Sequence, residues 1–327
     1  MQTHGRVAAL AEGALMAALT VVLVLAGYFI PLFQFLTNII WTVPIVVLIV
    51  RQDLRLGVMA TFVSGLVIAL FTGPVNAALL FSQFAALGLM YGYLFKIKAR
   101  PGPTLMLGAA VALLSLLFSL FLTAKLTRLP WGGLFQELEA TFNYTLEFYR
   151  RTGILERMGQ QGMTPEQIQA ALTSMIDLSK LLLPGILISA ALMAAFVNYL
   201  VAQRILLRLR LLEKGLLPFR LWQLPWYAVW GVIAGLGLWQ LGDYYHLDLA
   251  HRVGVNILYI YIPLLAGNGL AAVAFIFHKL RLAPILRVGV VVFALFYLPV
   301  VLISLITLGL FDPFLSYRRT HVAGKGE

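Results

Sequence analysis

Apolar residues in this chain fall in long runs, and polar residues are confined to short gaps between them. The runs cover about Val7–Ile30, Phe33–Val50, Leu56–Phe71, Val75–Phe95 and Thr104–Ala124, then Leu181–Val201, Leu224–Leu241, Val253–Phe277 and Val288–Leu310. Each is close to the ~20 residues that carry an α-helix across a bilayer core of ~30 Å. The pattern predicts an all-α, polytopic integral membrane protein with about nine hydrophobic spans. Most gaps are a few residues long, so consecutive helices must be antiparallel neighbours.

One block breaks the pattern. Between Lys125 and Lys180 six acidic and six basic residues appear. Trp131, Leu134, Leu138, Phe142, Leu146 and Tyr149 recur there every three or four positions, as on one face of a helix. ILERMGQQG then reads as a short helix closed near Gly162. A further helix should open at TPEQ, with Thr164 as N-cap, Pro165 in the first turn and Gln167 completing a capping box. The expected organisation is a five-span membrane core at 1–124 and a helical insert at 125–180. C-terminal spans follow at 181–311, with a basic inner loop at 204–220 that reads as an interfacial helix, and then a basic tail at 312–327.

Charge orients these segments. Apolar residues make up 61% of the chain and charged ones 11%, yet the net charge is +11. Of 24 Lys and Arg, 14 lie in five short segments: around Arg6, at Arg51 and Arg55, from Lys96 to Arg100, from Arg204 to Arg220, and from Lys279 to Arg287. The alternate connections, near Pro31 and at Thr72-Gly73-Pro74, carry none. This is the positive-inside pattern, which places the N-terminus in the cytoplasm of a multi-pass cell-membrane protein and the insert outside. The positive charge then reports topology and attraction to anionic lipid heads, not a nucleic-acid partner. With nine spans the tail lies outside. Arg318, Arg319 and Lys325 prefer the inside, and Pro299 allows the last run to be two re-entering half-helices.

The chain has no cysteine, which excludes disulfides, thiolate metal sites and a cysteine nucleophile. No P-loop, G-x-S-x-G, H-E-x-x-H or βαβ-type G-x-G-x-x-G motif occurs. The expectation is therefore a protein that is not an enzyme and has no cofactor and no metal site. His246, His251, Asp243 and Asp248 read as a solvated outer loop. Glu12 reads as a side chain reaching the inner interface, and Asp312 as an end-of-span anchor.

Polar residues inside spans need partners or ligands. Asn38, Trp41, Asn76 and Gln83 lie toward the outer halves of their spans and are the candidate substrate-binding residues, expected to converge on one cavity beneath the insert. Interhelical hydrogen bonding is the alternative for each. In the first span Gly13, Ala14, Ala17 and Ala18 place small side chains one turn apart, the spacing that lets a second helix approach closely. That helix belongs either to a partner or to this chain.

The run ALMAALTVVLVLAGYFIPL and the segment RQDLRLGVMATFVSGLVIALFTGPVNAALLF resemble the start of the S components of energy-coupling-factor transporters. The shared parts are Ala14 and Ala18, the break at Ile30-Pro31-Leu32, and Gly57 with Gly65. Over nearly its whole length the chain resembles the YybS-like family of bacterial membrane proteins. The charged insert leading into LLLPGILISAALMAAFVNYLV, the segment FRLWQLPWYAVW and the ending LGLFDPFLSYRR carry that likeness. The first resemblance implies capture of a small solute from outside and contact of the first helix with an energy-coupling membrane subunit driven by ATPases. The extra insert and the three further apolar runs depart from that pattern. The alternative is a membrane scaffold or assembly factor that works through the insert and the basic inner loops.

Overall fold

The computed structural model describes residues 2–127, 133–154, 165–213, 215–280 and 283–315, and every regular element among them is helical. The helices are α1 (Gln2–Phe29), α2 (Pro31–Ile40), α3 (Val43–Arg51), α4 (Leu54–Thr72), α5 (Pro74–Lys96), α6 (Pro101–Thr127) and α7 (Gly133–Arg151). They continue with α8 (Pro165–Arg208), α9 (Val229–Tyr244), α10 (Asp248–Lys279), α11 (Pro284–Phe296) and α12 (Leu298–Phe311). Prolines open α2, α5, α6, α8 and α11, where the missing N–H has no helical acceptor to lose. Asp53 caps α4 by accepting a 2.7 Å bond from the Leu56 N–H. Gly73 (φ +82°) makes the one-residue turn between α4 and α5 in the left-handed region that a side chain disfavours.

Seven of the described spans are long and apolar enough to cross a membrane: α1, α2 with α3, α4, α5, α6, α8 and α10. The chain is thus a multi-pass membrane protein, and its spans expose apolar side chains such as Leu70 and Phe71 on their outer faces. The seventh and ninth apolar runs are built differently from single full-length spans. The seventh is a 3-10 turn at Trp226–Ala228 leading into α9. The ninth is broken at Tyr297 into α11 and α12, and 13 or 14 residues reach only about 20 Å. Arg318, Arg319 and Lys325 lie outside the described residues, as do Trp131, Thr164 and nearly all of ILERMGQQG.

The helix expected at TPEQ and the sixth apolar run are one continuous helix, the 44-residue α8. The basic stretch after it is not an interfacial helix. Arg210 adopts φ +58°, and the bonds Leu211 N–H to Leu206 O and Arg210 N–H to Leu207 O end α8 in a Schellman turn. Pro218 and Pro225 then interrupt any new helix, and among the described residues of this stretch the helical element is a 3-10 turn at Phe219–Leu221.

The chain divides into two compact units, residues 1–177 with 190–215, and residues 178–189 with 216–327. In the first, α3 is buried all round, with Val43 to Ile49 enclosed. A Cβ on Gly57 of α4 or Gly92 of α5 would strike Ile49, so both helices press on α3 through glycine. Buried polar groups tie the unit together. Thr42 donates to Asn198 Oδ1 (2.9 Å), and Tyr91 donates to the Ala195 carbonyl (2.8 Å). At one end Glu12 accepts from Gln52 (2.6 Å) and pairs with Arg51 (2.8 Å).

In the second unit α9 and α10 meet through Gly235, Gly242 and Gly254, and α10 and α12 through Gly269 and Gly309. Gly269 faces Leu305 and Gly309 faces Leu265, so α12 runs antiparallel to α10 and stops near its middle. Asn256 of α10 is spliced into α8 beside Pro184. Its Oδ1 accepts from the Gly185 N–H (2.6 Å) and its Nδ2 donates to the Leu181 carbonyl (2.8 Å). Those two backbone groups would otherwise bond to each other, so the side chain bridges an opened helical turn at a proline.

Candidate functional site

Pro44 shapes the candidate site. It has no N–H to give the Ile40 carbonyl, and Trp41 and Thr42 drop out of the helix between α2 and α3. A cavity of about 190 Å³ lies against this break. Val24, Gly27 and Tyr28 of α1 line it, with Gln34, Thr37 and Asn38 of α2, Trp41, and Leu80 of α5. Gln34 and Asn38 are one turn apart on the same face of α2, both exposed. Thr37 is buried and donates to the Gln34 carbonyl (3.1 Å). A Cβ on Gly27 would meet the Thr37 hydroxyl, so only glycine lets α1 and α2 close there. The result is a polar mouth of two carboxamides and a phenol above an apolar floor of Val24, Leu80 and the buried indole of Trp41.

Trp41 also lines a second cavity of about 20 Å³ with Thr20, Thr42, Thr61, Ile45, Phe81 and Gly88. That volume holds about one water molecule. The indole sits edge-on to Phe81 (centroids 6.4 Å apart, planes at 82°). Three threonine hydroxyls are already committed, Thr20 to Met16 O, Thr61 to Gly57 O and Thr42 to Asn198. Trp41 is therefore a partition between the open cavity and the interior.

The four sequence-derived candidates do not all meet. Asn38 and Trp41 line the larger cavity. Asn76 touches it through Tyr28, donating to the phenol oxygen (3.1 Å) and to the Thr72 carbonyl (2.8 Å). Gln83 lies apart and donates to Ser119 of α6 (3.2 Å). Gln34, Thr37, Tyr28 and Pro44 were not among the candidates. The four-residue spacing from Gln34 to Asn38 was the signal for the first. Tyr28 sits at the end of its run, where an interfacial anchor is the default expectation.

The small-residue stripe of α1 divides between two faces. Gly13 and Ala17 are buried within the chain. A Cβ on Gly13 would come within 2.6 Å of Leu56, and the Ala17 carbonyl accepts from Ser64 (3.2 Å). Ala14 and Ala18 are exposed. Ala17→Leu is expected to destabilise the protein by about 1–3 kcal/mol through overpacking, whereas Ala14→Leu with Ala18→Leu should leave the melting temperature in detergent unchanged. Equal shifts would contradict this division.

A second polar centre lies in the other unit. Asp312 is fully buried at the end of α12. Asn268 of α10 donates to the Gly309 carbonyl (2.8 Å) and to Asp312 Oδ2 (3.4 Å), and accepts from the Leu224 N–H (3.2 Å). Gln223 donates to the Asp312 carbonyl (2.9 Å). Asp312 is thus inside the packing, not an end-of-span anchor. His251 pairs with Asp243 (2.6 Å), and no group of three His, Cys, Asp or Glu side chains gathers as a metal site among the described residues.

Comparison with known proteins bears on the whole chain. The family model "Predicted membrane protein (DUF2232)" matches residues 18–313. The chain is 23% identical over 306 residues to "Uncharacterized protein YybS" of Bacillus subtilis (strain 168), covering 93% of this chain and 95% of that protein. No solved structure matches the chain.

Proposed function

We propose that this chain, which belongs to the DUF2232 family of predicted membrane proteins, binds a small solute in the cavity between α1, α2 and α5. The observation that carries this reading is the placement of a polar-mouthed, Trp41-floored cavity on a proline-broken span. In a bilayer, backbone released from a helix must be buried or line a cavity, and discontinuous helices recur at the solute sites of membrane transporters. Clustered basic residues orient the chain with its N-terminus in the cytoplasm, so the mouth at Tyr28, Gln34 and Asn38 faces outside. The 125–180 insert then lies on that same side and is the natural cover.

Binding without chemistry is the proposed activity, since the lining offers carboxamides, hydroxyls and an indole but no nucleophile paired with a base. Uptake, in the manner of an S component, would need an energy-coupling membrane subunit with ATPases. The exposed Ala14 and Ala18 face of α1 is the surface we assign to it. Asn38→Trp fills the cavity from an exposed position that folding does not depend on. Small molecules released on denaturing the protein purified from its own cells, quantified by mass spectrometry, should include at least one solute carried by the wild type and absent from Asn38→Trp. Identical small-molecule content in the two would remove the binding role and favour the scaffold.

A further inference from the structure

The geometry points to an uncharged solute of about ten non-hydrogen atoms or fewer, held by hydrogen bonds to Asn38, Gln34 and the Tyr28–Asn76 pair with its apolar body against Trp41. This assignment rests on the proposed binding role and names the class of molecule that the site takes.

Charge supplies the first argument. None of the residues lining the cavity is ionisable at neutral pH. The helices that supply them are also neutral well beyond the site. On α1 the last charged residue before Val24 is Glu12, and α2 carries none. On α3 the first is Arg51, and on α5 the first after Leu80 is Lys96. These positions are about 15 Å or more from the lining residues along their helices. Glu12 is moreover paired with Arg51 and accepts from Gln52, and Lys96 donates to the Gln52 carbonyl. An ion leaving water for this cavity would meet no countercharge within reach on the helices that line it.

Size and polarity supply the second. A dry cavity of ~150 Å³ in another protein takes up benzene. The 190 Å³ here therefore accepts a ring with one or two substituents. Gln34 and Asn38 each present donors and an acceptor on one face of α2, which suits a solute edge that both gives and takes hydrogen bonds. The buried indole offers a flat wall for the remainder of the molecule.

The rival class is a small anion, because the N-termini of α2 and α5 open near the mouth at Pro31 and Pro74. Benzamide, benzoate and benzylammonium share one ring and nearly one size and differ in charge, so they separate the classes. Their binding to the full chain in lipid nanodiscs is read by saturation-transfer NMR at millimolar probe, with Asn38→Leu as the variant. Benzamide should bind saturably, and Asn38→Leu should weaken it roughly fivefold, as loss of one net hydrogen bond does. Benzoate and benzylammonium should bind more than about tenfold more weakly. The assignment is overturned if either ion binds as well as benzamide, if Asn38→Leu leaves benzamide unaffected, or if no probe binds. In the last case the copurification comparison separates the two failures. A solute lost in Asn38→Trp would leave the binding role standing and remove only the uncharged class, while its absence would remove both.

Discussion

Gly309→Leu is expected to detach α12 from α10 and destabilise the protein by about 3 kcal/mol or more, at the upper end of overpacking effects. A Cβ at Gly309 would fall on the Leu265 carbonyl, and one at Gly269 on the Leu305 carbonyl. Neither obstacle is a side chain that can rotate away. The helices must separate, and the Asn268 bonds to Gly309 and Asp312 are lost with them. Gly267→Leu is the control. It lies two residues from Gly269 on the same helix, yet nothing approaches a Cβ there, so a change within about ±0.5 kcal/mol is expected. Thermal unfolding in detergent compares the two variants. Equal effects of Gly309→Leu and Gly267→Leu would show that α10 and α12 are not held by backbone contact.

The second large effect is all-or-none. In the proposed orientation, with the N-terminus in the cytoplasm, the first five spans deliver α7 outside. The natural absence of cysteine makes single-site labelling direct. Cysteine at Glu147, an exposed position on α7, should react with a membrane-impermeant thiol reagent in intact cells. Cysteine at Lys98, in the turn between α5 and α6, should react only after lysis. Labelling in the reverse order would invert the topology and turn the cavity mouth inward.

The membrane class was legible in the chain because apolar runs of span length have no other stable reading. The division of those runs was less so. The shift in composition at Asp177 and Lys180 suggests a boundary between the insert and the sixth span. Helical backbone does not depend on polarity, however, and α8 runs through it, with Asn256 of a distant helix accommodating the Pro184 break. Pro299 hinted at the division of the last run, but the break falls at Tyr297 and the antiparallel seat on α10 depends on Gly269 and Gly309, which are 40 residues apart in sequence. Within the site, Asn38 and Trp41 stood out as polar or aromatic residues in the outer half of a span. Gln83 has the same signature but bonds to α6. One polar side chain in a span reads alike whether it faces a cavity or a neighbouring helix. Gly13 and Ala14 show the same ambiguity, since adjacent positions on α1 face opposite environments.

The most direct measurement is an experimental structure of the protein purified from its own membrane into lipid nanodiscs, with a bound antibody fragment for alignment. Compact non-protein density is expected against the Trp41 indole, within hydrogen-bonding reach of Asn38. Trp41 and Leu80 meeting across a closed gap, with Gln34 and Asn38 turned to neighbouring backbone carbonyls, would contradict it.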